Sequence, residues 1–150
     1  MNIAAILKLK GSAVISIAPE STVPDIASLI TSRKIGAVIV LAEDGSLAGI
    51  VSERDVVRAI AQKGAAALQL TAEAIMTKKV TTATPATTVD QAMATMDHGY
   101  FRHLPVIDGG ALVGVISVRD VVRGYIQEQA NEVDDLRSYV LRGSQEGGLR

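Results

Sequence analysis

The sequence predicts a mixed α/β chain built from two β-α-β-β-α repeats, with one helix ahead of them and a helical extension behind. Three observations predict it. The decapeptide GIVSERDVVR (49–58) returns as GVISVRDVVR (114–123), identical at seven of ten positions. VISIAPESTV (14–23) aligns with VTTATPATTV (80–89) through a shared Val, Pro and Thr-Val. Between these anchors the apolar residues change period in the same order in both copies, from helical to strand-like and back.

Each element follows from that pattern. Ile3, Ile6 and Leu7 mark a short N-terminal helix ending near Gly11. After the strand at VISIAP, Val23, Ile26, Ala27 and Ile30 fall at i, i+3, i+4 and i+7; Val89, Ala92, Met93 and Met96 do the same in the second copy. Two apolar runs then flank a turn, AVIVL and LAGIVS around Asp44-Gly45, HLPVI and ALVGVIS around Gly109-Gly110, both hairpin signals. Val56, Val57 and Ile60 begin one closing helix, and Val121, Val122 and the Tyr125-Ile126 pair begin the other. The repeats span 10–63 and 80–127, joined by a partly helical linker at 64–79 whose end, from about 73, approaches the second repeat. Ile126, Val133, Leu136 and Val140 extend an apolar stripe over 128–142, expected to dock on the N-terminal helix or on a second subunit; 143–150 reads as a frayed tail. One such repeat is marginal alone, whereas two can share a core.

Composition narrows the function classes. Apolar residues make up 48% of the 150, against 3% aromatic, so aliphatic side chains must fill the core. A formal net charge of −1 gives no electrostatic case for nucleic acid or an anionic membrane. The absence of cysteine excludes disulfides and thiolate chemistry. MNIAAILKLK makes a poor signal peptide and no apolar run reaches the ~18 residues of a membrane helix, so a soluble cytoplasmic protein is expected.

The two β-α-β-β-α units, IMTKKVTTATP at the second start, FRHLPVID, and the pair GIVSERD and GVISVRD resemble a tandem pair of CBS (cystathionine β-synthase) domains, a Bateman module, over roughly residues 10 to 127. The resemblance implies two domains related by a pseudo-twofold axis, with clefts between them for adenosine-containing ligands. It also implies a homodimer, since such pairs commonly form a flat disc of four units.

The repeated Ser-x-Arg-Asp cluster has two compatible readings. Ser52 and Ser117 stand at strand-to-helix junctions with Asp55 and Asp120 three residues on, the capping-box spacing. The same helix N-terminus suits a phosphate, and an ionised carboxylate, purely an acceptor, suits a ribose diol. The resemblance gives Asp55 and Asp120 the ribose role and puts Ser52 and Ser117 near the phosphate. Arg54 and Arg119 are candidates for phosphate contacts, with solvated helix faces as the alternative; Arg58 and Arg123 read as surface residues. In RHLPV, the resemblance implies a backbone clamp on adenine at His103, Leu104 and Pro105; Arg102 and His103 are candidates for phosphate contacts, and Thr82 is a further nucleotide-binding candidate. The first copy has Ile39 in place of Pro105, though Gly36 and Ala37 leave room for a ring. The second site is therefore expected to be the better one.

Nothing in the chain spells out catalysis. No Walker loop and no G-x-G-x-x-G occurs, and the i, i+5 spacing of His98 and His103, even with Asp97 and Asp108 nearby, does not make a metal pair. The expectation is a regulatory module, not an enzyme, needing no cofactor. It binds AMP, ADP, ATP or a dinucleotide such as NAD(H) and signals in trans to a regulated protein. The rivals are a ligand-independent interaction module and a small nucleotide-processing enzyme using His103 and Asp120.

Overall fold

The computed structural model describes residues 1–148, with side chains through Gly143. Its elements are α1 (Ile3–Lys10), β1 (Ser16–Ile17), α2 (Val23–Arg33), β2 (Ala37–Leu41), β3 (Leu47–Ser52), α3 (Glu53–Lys63), a 3-10 segment (Gly64–Gln69), α4 (Ala72–Ile75), α5 (Val89–Gly99), β4 (His103–Asp108), β5 (Ala111–Ser117) and α6 (Val118–Gly148). Each repeat is thus a small sheet under two helices. In the first, β1 runs parallel to β2, which pairs antiparallel with β3, Ile39 opposite Ile50. In the second, β4 pairs with β5, Pro105 opposite Val115, and the expected first strand shrinks to one parallel bridge, Ala83 to Val106. Thr- and Pro-rich VTTATP offers few apolar side chains to bury and, at Pro85, no N–H for a ladder.

The local chemistry is duplicated in detail. Both hairpins carry a register shift at equivalent positions, between Val40 and Leu41 and between Val106 and Ile107. Both turn on glycine with positive φ, at Gly45 and at Gly109 and Gly110, where a Cβ would be strained. Helix α5 opens on a capping box, the Thr88 N–H donating to Gln91 Oε1 at 2.9 Å and the Gln91 N–H to Thr88 Oγ1 at 3.1 Å.

Two apolar cores result, and each borrows a helix from outside its own repeat. Val23, Ile26, Val38, Val40, Val51 and Val56 form the first together with Ala72, and Ile75 and Met76 pack on it. Val89, Ala92, Met96, Leu104, Val106, Ile116 and Val121 form the second together with Ile3 and Ile6 of α1. The 64–79 segment is therefore no mere linker. Its α4 does for the first repeat what α1 does for the second. Glycines show how close the approach is: a Cβ at Gly49 would lie 2.7 Å from Met76 Sδ, and one at Gly114 would lie 2.7 Å from Leu7 Cδ2.

Helix α6 extends beyond the expected end near Arg142, through Gly148, so residues expected to be a tail are helical up to that point; 149 and 150 lie outside the described residues. Its early turns lie against α1, a Cβ at Gly124 meeting Ile6 Cδ1 at 3.1 Å, and the terminal ammonium of Met1 binds Glu128 Oε1 at 3.0 Å. Beyond Glu128 the stripe is uncovered, with Leu136 and Val140 65% and 57% exposed. Among the described residues no helix is long and apolar enough to cross a membrane.

Candidate functional site

The two Ser-x-x-Asp clusters form complete capping boxes. The Ser52 N–H donates to Asp55 Oδ2 at 2.8 Å, while the Asp55 N–H donates to Ser52 Oγ at 3.3 Å. In the second copy the Ser117 N–H reaches Asp120 Oδ2 at 2.8 Å and the Asp120 N–H reaches Ser117 Oγ at 3.2 Å. Strands β2 and β4 tie in at the same place, Gly36 O accepting the Glu53 N–H and Arg102 O the Val118 N–H. The caps hold both carboxylates at the strand-to-helix junctions of their own repeats, each with acceptor capacity to spare.

Beside the first cluster is a cleft of about 610 Å³, a size that suits a small-molecule ligand. Its walls come from both repeats: Gly36, Ala37, Ile50, Ser52, Glu53, Arg54, Asp55, Val57 and Arg58 on one side, Thr77, Lys79, Val80, Thr81 and Gly99 to His103 on the other. Asp55, 8% exposed, is the buried charged residue of the described core; its Oδ1 accepts from Arg58 Nη1 at 3.2 Å. Arg54, Arg58, Lys79 and Arg102 outnumber Glu53 and Asp55, so the lining is net cationic. Tyr100 and Phe101 supply aromatic surface. Tyr100 takes the left-handed conformation (φ 56°) that ends α5, as Lys34 (φ 54°) ends α2, and a Cβ at Gly99 would fall on the Phe101 ring.

The expected site residues divide. Gly36, Ala37, Ser52, Arg54, Asp55, Arg102 and His103 come together in this cleft. Ser117, Arg119, Asp120, Leu104, Pro105 and Thr82 do not line it, and Thr82's neighbour Thr81 does. The expected base clamp on Leu104 is corrected. Its side chain is 1% exposed in the second core. Pro105 O and the Ile107 N–H are spent on Ala83, so by strand alternation the backbone of Leu104 faces β5, opposite Ile116. Arg102 and His103 line the wall that faces the first repeat, with His103 Cε1 3.0 Å from where a Gly36 Cβ would be. Arg119 is exposed.

Sequence reasoning missed the wall from Thr77 to Thr81, the Tyr100-Phe101 pair, and Arg58. Arg58 carried a usable signal, since it lies at i+3 from Asp55 on one helix.

Asp120 and His103 set the electrostatics of the second cluster. Lys10, at the end of α1, donates to Asp120 Oδ2 at 2.6 Å and to Val115 O at 2.8 Å. Burial alone would raise the Asp120 carboxyl; hydrogen bonds from Lys10 and Ser117 and the Lys10 charge hold it below its ordinary value. His103 is pushed below the usual 6.5, first by burial and then by Lys10 and Arg102, against the opposite pull of Asp120 and Glu53. The unfolded chain therefore binds more protons than the folded one just below pH 6.5, so this residue's contribution to stability is lost as pH falls through that range.

The sequence profile of the CBS domain matches residues 10–62 and 72–126. CBS domain-containing protein CBSX3, mitochondrial, of Arabidopsis thaliana is 36% identical over 128 residues, which cover 83% of this chain and 62% of that protein; the chain thus spans less than two thirds of that relative. The CBS-domain containing protein ATU1752 from Agrobacterium tumefaciens superposes with a TM-score of 0.80 at 41% identity, over 81% of this chain and 91% of that one. The CBS domain pair of protein MJ0100, solved in complex with 5′-methylthioadenosine and S-adenosyl-L-methionine, gives a TM-score of 0.75 at 25% identity, over 85% of this chain and 98% of that one. With two matched repeats, duplicated caps and turns, and a cleft walled by both halves, the chain belongs to the CBS domain family as a tandem pair.

Proposed function

We propose that this CBS pair is a regulatory module that binds a phosphorylated adenosine in the cleft beside Asp55. The observation that carries the reading is the convergence there of a capped, buried carboxylate, an aromatic wall and a surplus of cations. A ribose diol donates to Asp55, the base lies against the Tyr100-Phe101 side, and phosphates meet Arg54, Lys79, Arg102 and the N-terminal turn of α3. That MJ0100's CBS pair was solved with two adenosine derivatives supports the adenosine half. The cationic lining favours AMP, ADP, ATP or a dinucleotide such as NAD(H) over a sulfonium ligand, which brings its own positive charge. Asp55 thus replaces Asp120 as the stronger expected ribose partner, because Arg102 and His103 serve its cleft. Ligand binding biases the orientation of the two repeats, and a partner reads that bias in trans, without catalysis by this chain.

The complete capping boxes favour one rival, an interaction module in which Ser52, Asp55, Ser117 and Asp120 serve only as caps. Thermal denaturation with AMP, ADP, ATP, NAD, GTP and inorganic phosphate separates the two. An adenosine-specific rise in Tm supports the proposal, and no rise with any of them supports the rival.

A phosphate in the cleft favours the imidazolium of His103 and so draws a proton on binding. Affinity is expected to rise as pH falls below neutrality, by at most about tenfold per unit. Calorimetry in buffers of different ionisation enthalpy measures the uptake, which His103→Gln should remove.

A homodimer completes the proposal. Val57 and Ile60 on α3, the equivalent Val122 and Tyr125 on α6 with the neighbouring Ile126, and the stripe beyond leave much apolar surface uncovered. Sedimentation equilibrium should give twice the chain mass at micromolar concentration; a monomer contradicts it.

A further inference from the structure

The carboxylate of Asp55 has most of its acceptor positions taken. Its Oδ2 accepts from the Ser52 N–H at 2.8 Å and from the Ser52 hydroxyl at 3.1 Å, and its Oδ1 accepts from Arg58 Nη1 at 3.2 Å. An ionised carboxylate offers about four such positions, so roughly one is left, on Oδ1. A ribose diol brings two hydroxyls. Of the donors in place, Arg58 is the one that can leave. More than half of its side chain is exposed, it lines the 610 Å³ cleft, and an ion pair so exposed contributes about 0–1 kcal/mol. The second repeat shows that the cap does not need an arginine on this turn. Arg123, the counterpart of Arg58, makes no ion pair among the described residues, and Asp120 binds Lys10 instead, yet the Ser117 N–H still lies 2.8 Å from Asp120 Oδ2.

We propose that Arg58 is the residue that makes this cleft prefer nucleotides to nucleosides: it holds the second diol position on Asp55 and transfers to the ligand's phosphate as the ribose takes its place. The inference rests on the nucleotide reading above and names what sets its selectivity. A nucleoside that displaces Arg58 offers the guanidinium nothing in exchange. A nucleotide replaces one anionic acceptor by another, and the planar fork of the guanidinium suits two phosphate oxygens. Arg54 lies four residues back on the same face of α3 and also lines the cleft, so one phosphate can engage both.

Calorimetry of adenosine and AMP on the full chain, wild type against Arg58→Met, tests this. Methionine keeps an apolar stem and a good helix former at an exposed position while removing the guanidinium. Adenosine should tighten about two- to fivefold, since no contact has to break, and AMP should weaken by up to about tenfold, so the preference for AMP falls. Arg58→Lys, which keeps the positive charge, should retain most of that preference. Adenosine no tighter on Arg58→Met than on the wild type overturns the proposal. That includes a loss of AMP binding alone, as a fixed phosphate contact or the removal of one positive charge would give. Both ligands moving alike overturns it too, as when the Ser52 hydroxyl yields to the diol and Arg58 stays in place. In each of these cases AMP binding to the wild type leaves the nucleotide reading intact; if neither ligand binds the wild type, both readings fall. Thermal melts of each variant separate a change in folding from a change in selectivity.

Discussion

The Asp55→Asn variant is expected to bind AMP and ATP about ten- to a hundredfold more weakly than the wild type. A carboxylate accepting from a ribose diol contributes charged hydrogen bonds of about 1.5–3 kcal/mol each, and the amide keeps the shape while losing the charge. Asn still accepts one hydrogen bond, so the cap from the Ser52 N–H largely survives and the helix loosens by a few tenths to about 1 kcal/mol. The Arg58 contact adds little, because Arg58 is 58% exposed and such pairs contribute about 0–1 kcal/mol. Calorimetric titration of a variant that melts cooperatively checks this. Asp120→Asn should cost less, because Lys10 already competes for that carboxylate. The reverse order of damage would restore the second repeat as the principal site.

Leu104→Ala is expected to lower stability by about 2–5 kcal/mol, with a fall in Tm of roughly 4–20 °C, while leaving nucleotide affinity within about threefold. The side chain is fully enclosed among Ile3, Ile6, Val106 and Ile116, and its removal leaves a cavity. Denaturant unfolding and titration on one preparation give both numbers. Unchanged stability with lost binding would return Leu104 to the ligand site.

Much of the fold was legible because its determinants are local. The change of hydrophobic period, Gly45 and Gly109-Gly110 in the turns, and Ser52-Asp55 and Ser117-Asp120 in the caps each act within a few residues. The caps were legible for the same reason, and with them the position of both carboxylates. What was hidden depends on the crossing of the two halves. Arg102 and His103 precede Asp120 in the same repeat, yet both line the cleft that holds Asp55. Ile3 and Ile6 read as a preface and Ala72 and Ile75 as a linker, though each pair completes a core that sequence order does not suggest. The role of Lys10 was hidden too, since its partner Asp120 lies 110 residues away. Gly143 suggested an end for α6, but a single glycine only weakens a helix and does not stop it.

Backbone and imidazole NMR shifts of the full chain, followed on adding AMP, test the central claim most directly. The account predicts saturable shifts at Gly36, Ala37, Ser52, Arg54, Asp55, Thr81, Tyr100 and His103, absent when GMP or inorganic phosphate replaces AMP at the same concentration. Shifts confined to other surfaces, or the same shifts with inorganic phosphate alone, would contradict it.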